Sequence, residues 1–131
     1  MTMYRQGDVL LVRVDHLPDA PTVAAQHNHL ILAEGEVTGH CHYIPSLEAV
    51  MLEANDAMRQ TAAAAGVVDT RTVLGGLRIS AATTLYHGTP VQAPAVPRDG
   101  DHAFINLPAG EYLFLAPREY TDDEEFRRVL D

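Results

Sequence analysis

His102-Ala103-Phe104-Ile105-Asn106-Leu107-Pro108-Ala109-Gly110-Glu111-Tyr112-Leu113-Phe114-Leu115 decides the fold class. On either side of the Pro-Ala-Gly signal, a short run of aromatic and branched aliphatic side chains carries polar residues between them, as half-buried β-strands do. Proline closely followed by glycine suits a tight turn, so the two runs are expected to pair with each other. Tyr4-Arg5-Gln6-Gly7-Asp8-Val9-Leu10-Leu11-Val12-Arg13-Val14 repeats the theme, with a Gly-Asp turn signal ahead of an aliphatic strand beginning near Asp8. Asp15 to Pro21 reads as a loop. His29-Leu30-Ile31-Leu32-Ala33 is a further strand, and Glu34-Gly35 turns it back into residues 35–44 as a hairpin.

Between these β patterns, Leu47 to Leu52 reads as a strand, whereas residues 53–66 are rich in helix formers. Ala54, Ala57, Met58, Thr61, Ala62 and Ala65 recur at three- and four-residue spacing, which predicts a short helical insertion ending at Gly66. Thr72 to Ser80 and Ala82 to His87 read as two strands, with Gly75-Gly76 as the turn signal. Residues 88–101 hold Pro90, Pro94 and Pro97, which remove ladder donors and mark a long loop. Thr121-Asp122-Asp123-Glu124 matches a helix capping box and predicts a short closing helix, with an extended tail as the alternative. Many short strands with one helical insertion indicate a single, mainly all-β domain over 1–131, a small β-barrel or sandwich.

Composition narrows the function classes. The nine cations are all arginine and face eighteen acidic groups, for a formal charge of −9. That balance disfavours nucleic acid, whose binding draws on cations neutralising phosphates, and equally an anionic membrane surface. The single Cys41 cannot form an internal disulfide, and no apolar run reaches the length of a membrane span, so a cytoplasmic location is expected. The absence of lysine with abundant alanine suggests a bacterial or phage genome.

The chemistry-bearing pattern is Gly39-His40-Cys41-His42. Strand alternation puts His40 and His42 on one face, about 6.7 Å apart along the chain, and Cys41 on the other. Two such imidazoles can converge on one ion held about 2.0–2.1 Å from each nitrogen. His87 and His102, at the ends of two more strands on either side of the proline-rich loop, are the further ligand candidates, and Asp101, Glu111 or Glu119 could supply a carboxylate. Imidazole suits zinc, iron, manganese, nickel or copper. Three protein ligands leave a position for a metal-activated water or a small ligand, and four close the shell. Glu119 is a weak general-base candidate whose simpler reading is a structural ion pair. His27-Asn28-His29, at the entrance to a strand, reads as surface, and Cys41 as a buried, inert thiol.

His40 and His42 followed by Glu48 resemble the first motif of the cupins, which implies a cupin-like barrel with a metal on HxH, a glutamate and a later histidine. Across nearly the whole chain, Arg5-Gln6-Gly7-Asp8-Val9-Leu10, Gly35-Glu36-Val37-Thr38-Gly39-His40-Cys41-His42, Leu107-Pro108-Ala109-Gly110-Glu111-Tyr112 and Arg118-Glu119-Tyr120-Thr121 resemble a family of small uncharacterised bacterial and phage proteins. That family carries Gly-His-Ala-His and a compact His-Glu-Glu-His, here split into His87 and Asp101-His102. The resemblance implies one site built from all four histidines and supplies no activity. The leading expectation is a metal-binding β protein, with or without catalysis of a small-ligand reaction. The rival is a non-enzymatic phage or mobile-element assembly module, able to form homo-oligomers through its sheet edges, in which the histidines are structural. A pH-responsive role for the seven histidines is a third reading.

Overall fold

A computed structural model describes residues 2–34, 41–88 and 104–116. Strand β1 (Met3–Gln6) pairs antiparallel with β2 (Val9–Val14), placing Gln6 opposite Val9 and leaving Gly7-Asp8 as a two-residue hairpin turn. Gly7 has a φ of 55°, a left-handed conformation that glycine adopts without steric cost. The strand expected near Asp8 is therefore β2. Its partner β1 carries a mixed Tyr-Arg-Gln pattern that aliphatic periodicity does not reveal.

Five more strands follow before the last third: β3 (Thr22–Val23), β4 (His29–Glu34), β5 (Cys41–Pro45), β6 (Ala49–Glu53) and, after helix α1 (Asp56–Ala64), β7 (Val73–Ile79). The described set is completed by β8 (Thr83–Gly88), β9 (Ile105–Leu107) and β10 (Gly110–Leu115). They build a six-stranded sheet, ordered β1-β2-β10-β7-β6-β3, and a four-stranded sheet, ordered β4-β5-β8-β9. Every pairing is antiparallel. The sheets do not close into a barrel, so of the two expected architectures the sandwich is the one realised. The hairpin expected from residues 29–44 is present as the β4–β5 pair. No helix among the described residues is long and apolar enough to cross a membrane.

The larger sheet is apolar on both faces. Inward, Val9, Leu11, Leu77, Ile79, Tyr112 and Phe114 meet Leu30, Leu32, Ile44, Leu85 and Leu107 of the smaller sheet. Outward, Val12, Leu113 and Leu115 meet Met58 and Ala62 of α1, together with Leu17, Leu52 and Val73. The helix expected over 53–66 spans 56–64: Asn55 Oδ1 accepts from the Met58 amide at 2.8 Å, and Gly66 follows with a φ of 97°. Met58 and Ala62, four residues apart, are its buried stripe.

Two sequence expectations are corrected. Residues 105–107 and 110–115 do not pair: β9 joins β8, while β10 lies between β2 and β7. Pro108-Ala109 thus carries the chain from one sheet to the other, because Leu107 and Tyr112 enter the same core from opposite sides. The Tyr112 hydroxyl donates to the Pro108 carbonyl at 2.6 Å and clamps this crossing. Gly75-Gly76 is likewise no turn but the middle of β7, and β7 and β8 belong to different sheets. A Cβ on Gly75 would run into the Leu52 carbonyl oxygen, and one on Gly76 would lie 2.8 Å from Leu17 Cδ1 and 3.1 Å from Met58 Cε. The glycines thin the strand where β6 and the helical layer press on it.

Glu111, a carboxylate candidate for the metal, shares the outer, helix-side face with Leu113 and Leu115. It accepts from Arg78 Nε at 3.0 Å and from the Leu17 amide at 3.1 Å, while Arg78 Nη2 donates to the Leu17 carbonyl at 3.1 Å. The pair fastens the 15–21 loop and is committed to that task. Burial alone would raise the Glu111 carboxyl, but the Arg78 hydrogen bond, the Leu17 amide and the neighbouring positive charges outweigh it and hold the group below its ordinary value of 4.5. A depressed carboxylate stabilises the fold above its unfolded value and loses that contribution as pH falls through the folded one.

Two stability measurements follow from this packing. Gly75→Ala should cost about 2–3 kcal/mol in urea unfolding, because it meets backbone, and more than Gly76→Ala, which meets movable side-chain ends. Glu111→Gln should cost about 1–2 kcal/mol at neutral pH and remove part of the acid-induced loss of stability below pH 4.5. Equal costs for the two alanines, or an unchanged acid profile, would contradict the packing described.

Candidate functional site

The β5–β8 register sets Cys41 opposite Gly88, His42 opposite His87 and Tyr43 opposite Tyr86. Alternation then divides these side chains between two faces. Tyr43 stacks on Tyr86 with centroids 5.4 Å apart, Phe104 meets Tyr86 edge-on at 4.5 Å, and His29 meets Tyr43 edge-on at 5.2 Å. This aromatic row covers the outer face. His42 and His87 share the inner face with Ile44 and Leu85, both of which sit in the inter-sheet core. Their imidazoles stack with centroids 4.3 Å apart and planes inclined by 25°. His42 is only 3% exposed, and His87 is half-buried.

A register shift in β4 lies directly beside the pair. Ile31 opposes Tyr43 and Ala33 opposes His42, so Leu32 is the extra residue of a β-bulge and turns into the core. Bulges re-aim side chains next to functional sites more often than elsewhere.

The partner of His42 comes from the other sheet. Gln6, at the end of β1 and 2% exposed, donates through Nε2 to the Leu85 carbonyl at 3.0 Å, and its Oε1 lies 2.8 Å from His42 Nδ1. The proton's place follows from donor and acceptor chemistry. The Leu85 carbonyl can only accept, so the Gln6 amide must present its NH2 there and its oxygen to the histidine. An amide oxygen also only accepts, so His42 Nδ1 carries the hydrogen and donates it. In neutral His42, Nε2 is then the lone-pair nitrogen. No such bond is apparent from residue spacing, and the available signal is a lone polar residue at the hairpin end of an inward-facing row.

Of the expected ligands, the structure brings His42 and His87 together. His40, His102, Asp101 and Glu119 lie outside the described residues, as do most of the proline-rich loop and the C-terminal capping box. Among the described residues there is no group of three or more histidine, cysteine, aspartate or glutamate side chains arranged to hold a metal ion. Glu111 is corrected to the opposite face of the larger sheet. Glu48, the glutamate of the cupin resemblance, follows β5 in a short 3-10 turn and bonds Ser80 Oγ at 3.3 Å. Cys41 is buried on the strand position that alternates away from His42. His27 and Asn28, with φ values of 49° and 66°, form an exposed tight turn closed by reciprocal Gln26–His29 backbone bonds at 2.8 and 2.9 Å.

Residues 5–116 match the family described as Domain of unknown function (DUF8820). The chain belongs to that family. The DUF8820 region runs from within β1 to just past β10, so it takes in both sheets, α1, Gln6 and all four histidines of the expected site, and leaves Glu119 outside. Membership of an uncharacterised family therefore holds. No curated protein and no solved structure matches the chain.

The assigned proton position is directly measurable. Long-range nitrogen–proton NMR spectra of the metal-free protein should show His42 as the Nδ1–H tautomer, and an Nε2–H pattern would contradict the Gln6 bond.

Proposed function

We propose that the protein is a metal-binding β-sandwich whose ion sits between the sheets on imidazole nitrogens. The observation that carries this reading is the direct cross-strand pairing and stacking of His42 and His87 on the inner face. Two imidazoles sharing one ion, with bonds of about 2.0–2.1 Å and mutual angles from square to tetrahedral, place their centroids about 4.5–5 Å apart. The observed 4.3 Å is close to that spacing, and the stacked rings, inclined by 25°, must swing well apart before one ion can lie in both ring planes, a turn that falls to the half-buried His87. His40, adjoining β5 in sequence, and His102, close before β9, are the proposed completing ligands. An all-imidazole shell suits zinc, iron, manganese, nickel or copper. With a position left open, the ion would polarise a bound small ligand or lower the pKa of a water, and His42 and His87 would serve to hold and orient it.

The test is elemental analysis of tag-free protein after equilibration with each of these metals, alongside thermal melts with and without chelator. Near-stoichiometric uptake by the native chain, lost in the His42→Ala plus His87→Ala variant, is expected. Metal at a hundredfold excess over its dissociation constant should stabilise the fold by about 2–3 kcal/mol, which a chelator removes. No stoichiometric metal, with melting indifferent to chelator, would overturn the reading and favour histidines that only bind the sheets together in an assembly module.

A further inference from the structure

Gln6 ties the edge hairpin of one sheet to the second strand pair of the other, and its chemistry reaches further than that tie. We propose that Gln6 is the positioning residue of the histidine centre: by keeping the His42 proton on Nδ1, it makes Nε2 the nitrogen offered to the ion. The proposal rests on the metal reading above. A neutral imidazole carries one proton on either of two nitrogens, and only the unprotonated one binds a metal. At an ordinary histidine both tautomers are populated, and part of the population presents the wrong nitrogen.

Here the choice is made twice over. Rotating the Gln6 amide would set its oxygen against the Leu85 carbonyl oxygen, at the position now bonded at 3.0 Å. Moving the His42 proton to Nε2 would set a lone pair against Gln6 Oε1, at the position now bonded at 2.8 Å. Gln6 and His42 are 2% and 3% exposed, so water does not readily repair either mismatch. The support also fixes the ring plane, because the bond to Nδ1 restrains rotation about the side chain. Gln6 is neutral, so it orients His42 without adding a carboxylate charge. Partners of this kind behind a metal-binding histidine typically contribute about 10–100-fold in metal affinity.

Gln6→Leu and Gln6→Glu separate positioning from structure. Gln6→Leu removes both hydrogen bonds. Gln6→Glu keeps an acceptor for His42 Nδ1 but replaces the donor to the Leu85 carbonyl. Zinc or cobalt affinity is read by competition with a chromophoric chelator at mildly alkaline pH, and the metal-free melting temperature is read separately. Gln6→Leu should lose about 10–100-fold in affinity. Gln6→Glu should melt lower than the native chain without metal while binding the metal as tightly or more tightly. Because the added carboxylate charge alone would also attract a cation, the His42 tautomer of metal-free Gln6→Glu is read by NMR as well, and it must remain Nδ1–H. A folded Gln6→Leu protein with native affinity, or affinity and melting temperature falling together in both variants, would overturn the proposal. If Gln6→Leu does not fold, the Gln6→Glu comparison decides alone. Native protein that takes up neither ion overturns the metal reading itself and this proposal with it, whereas native uptake unaffected by Gln6→Leu overturns only the role of Gln6.

Discussion

A six-stranded sheet with apolar side chains on both faces must be covered on both faces, and the rest of the fold follows from that constraint. Along β10, Tyr112 and Phe114 point into one core and Leu113 and Leu115 into the other. Neither set can be left in water at about 25 cal/mol per Å² of apolar surface. The four-stranded sheet covers one side and α1, inserted between β6 and β7, covers the other. Gly75 and Gly76 mark where this covering is tightest, since any side chain there would hold the layers apart. Crossings between the sheets, at Pro108-Ala109 and between β7 and β8, are the connections that a two-sheet core requires.

Within the core between the sheets, Gln6 and His42 are the buried polar side chains of the described residues nearest the candidate site. Burying them is tolerable because Gln6 Oε1 accepts from His42 Nδ1 and one of the two Gln6 amide N–H groups donates to the Leu85 carbonyl. The same satisfaction removes the freedom of the amide to rotate and of the imidazole to change tautomer. Stability and a fixed His42 tautomer therefore come from one set of hydrogen bonds. His87, half-buried, stacks on that fixed element from the paired strand β8. A site on such a seam is held by rigid strands, with the β4 bulge beside it setting the local turn of the sheet.

Much of this was legible in the residues. The β class, the insertion around Met58 and Ala62, and the pairing of residues 29–34 with 41–45 are local patterns of periodicity and turn chemistry, and the structure follows them. What is not legible is how the strands of the last third pair. Pro108-Ala109-Gly110 has the same composition whether it folds a hairpin or bridges two sheets, because the difference lies in distant partners, β8 for one strand and β2 and β7 for the other. Gly75-Gly76 reads as a turn locally and becomes a packing device only against Leu52, Leu17 and Met58. At the site, alternation sets His42 apart from Cys41, but spacing carries no trace of a cross-sheet bond, so the role of Gln6 is not readable from sequence. Glu111 has the composition of any available carboxylate, and only the fold shows it engaged by Arg78 and the 15–21 loop.

The most direct measurement is anomalous diffraction from crystals of the native protein grown with zinc, or with another of the metals that imidazole favours. An anomalous peak about 2.0–2.1 Å from His42 Nε2, and at the same distance from a ring nitrogen of His87, is the predicted result. A peak bonded to His42 through Nδ1, or metal-loaded crystals with no peak between these two rings, would contradict it.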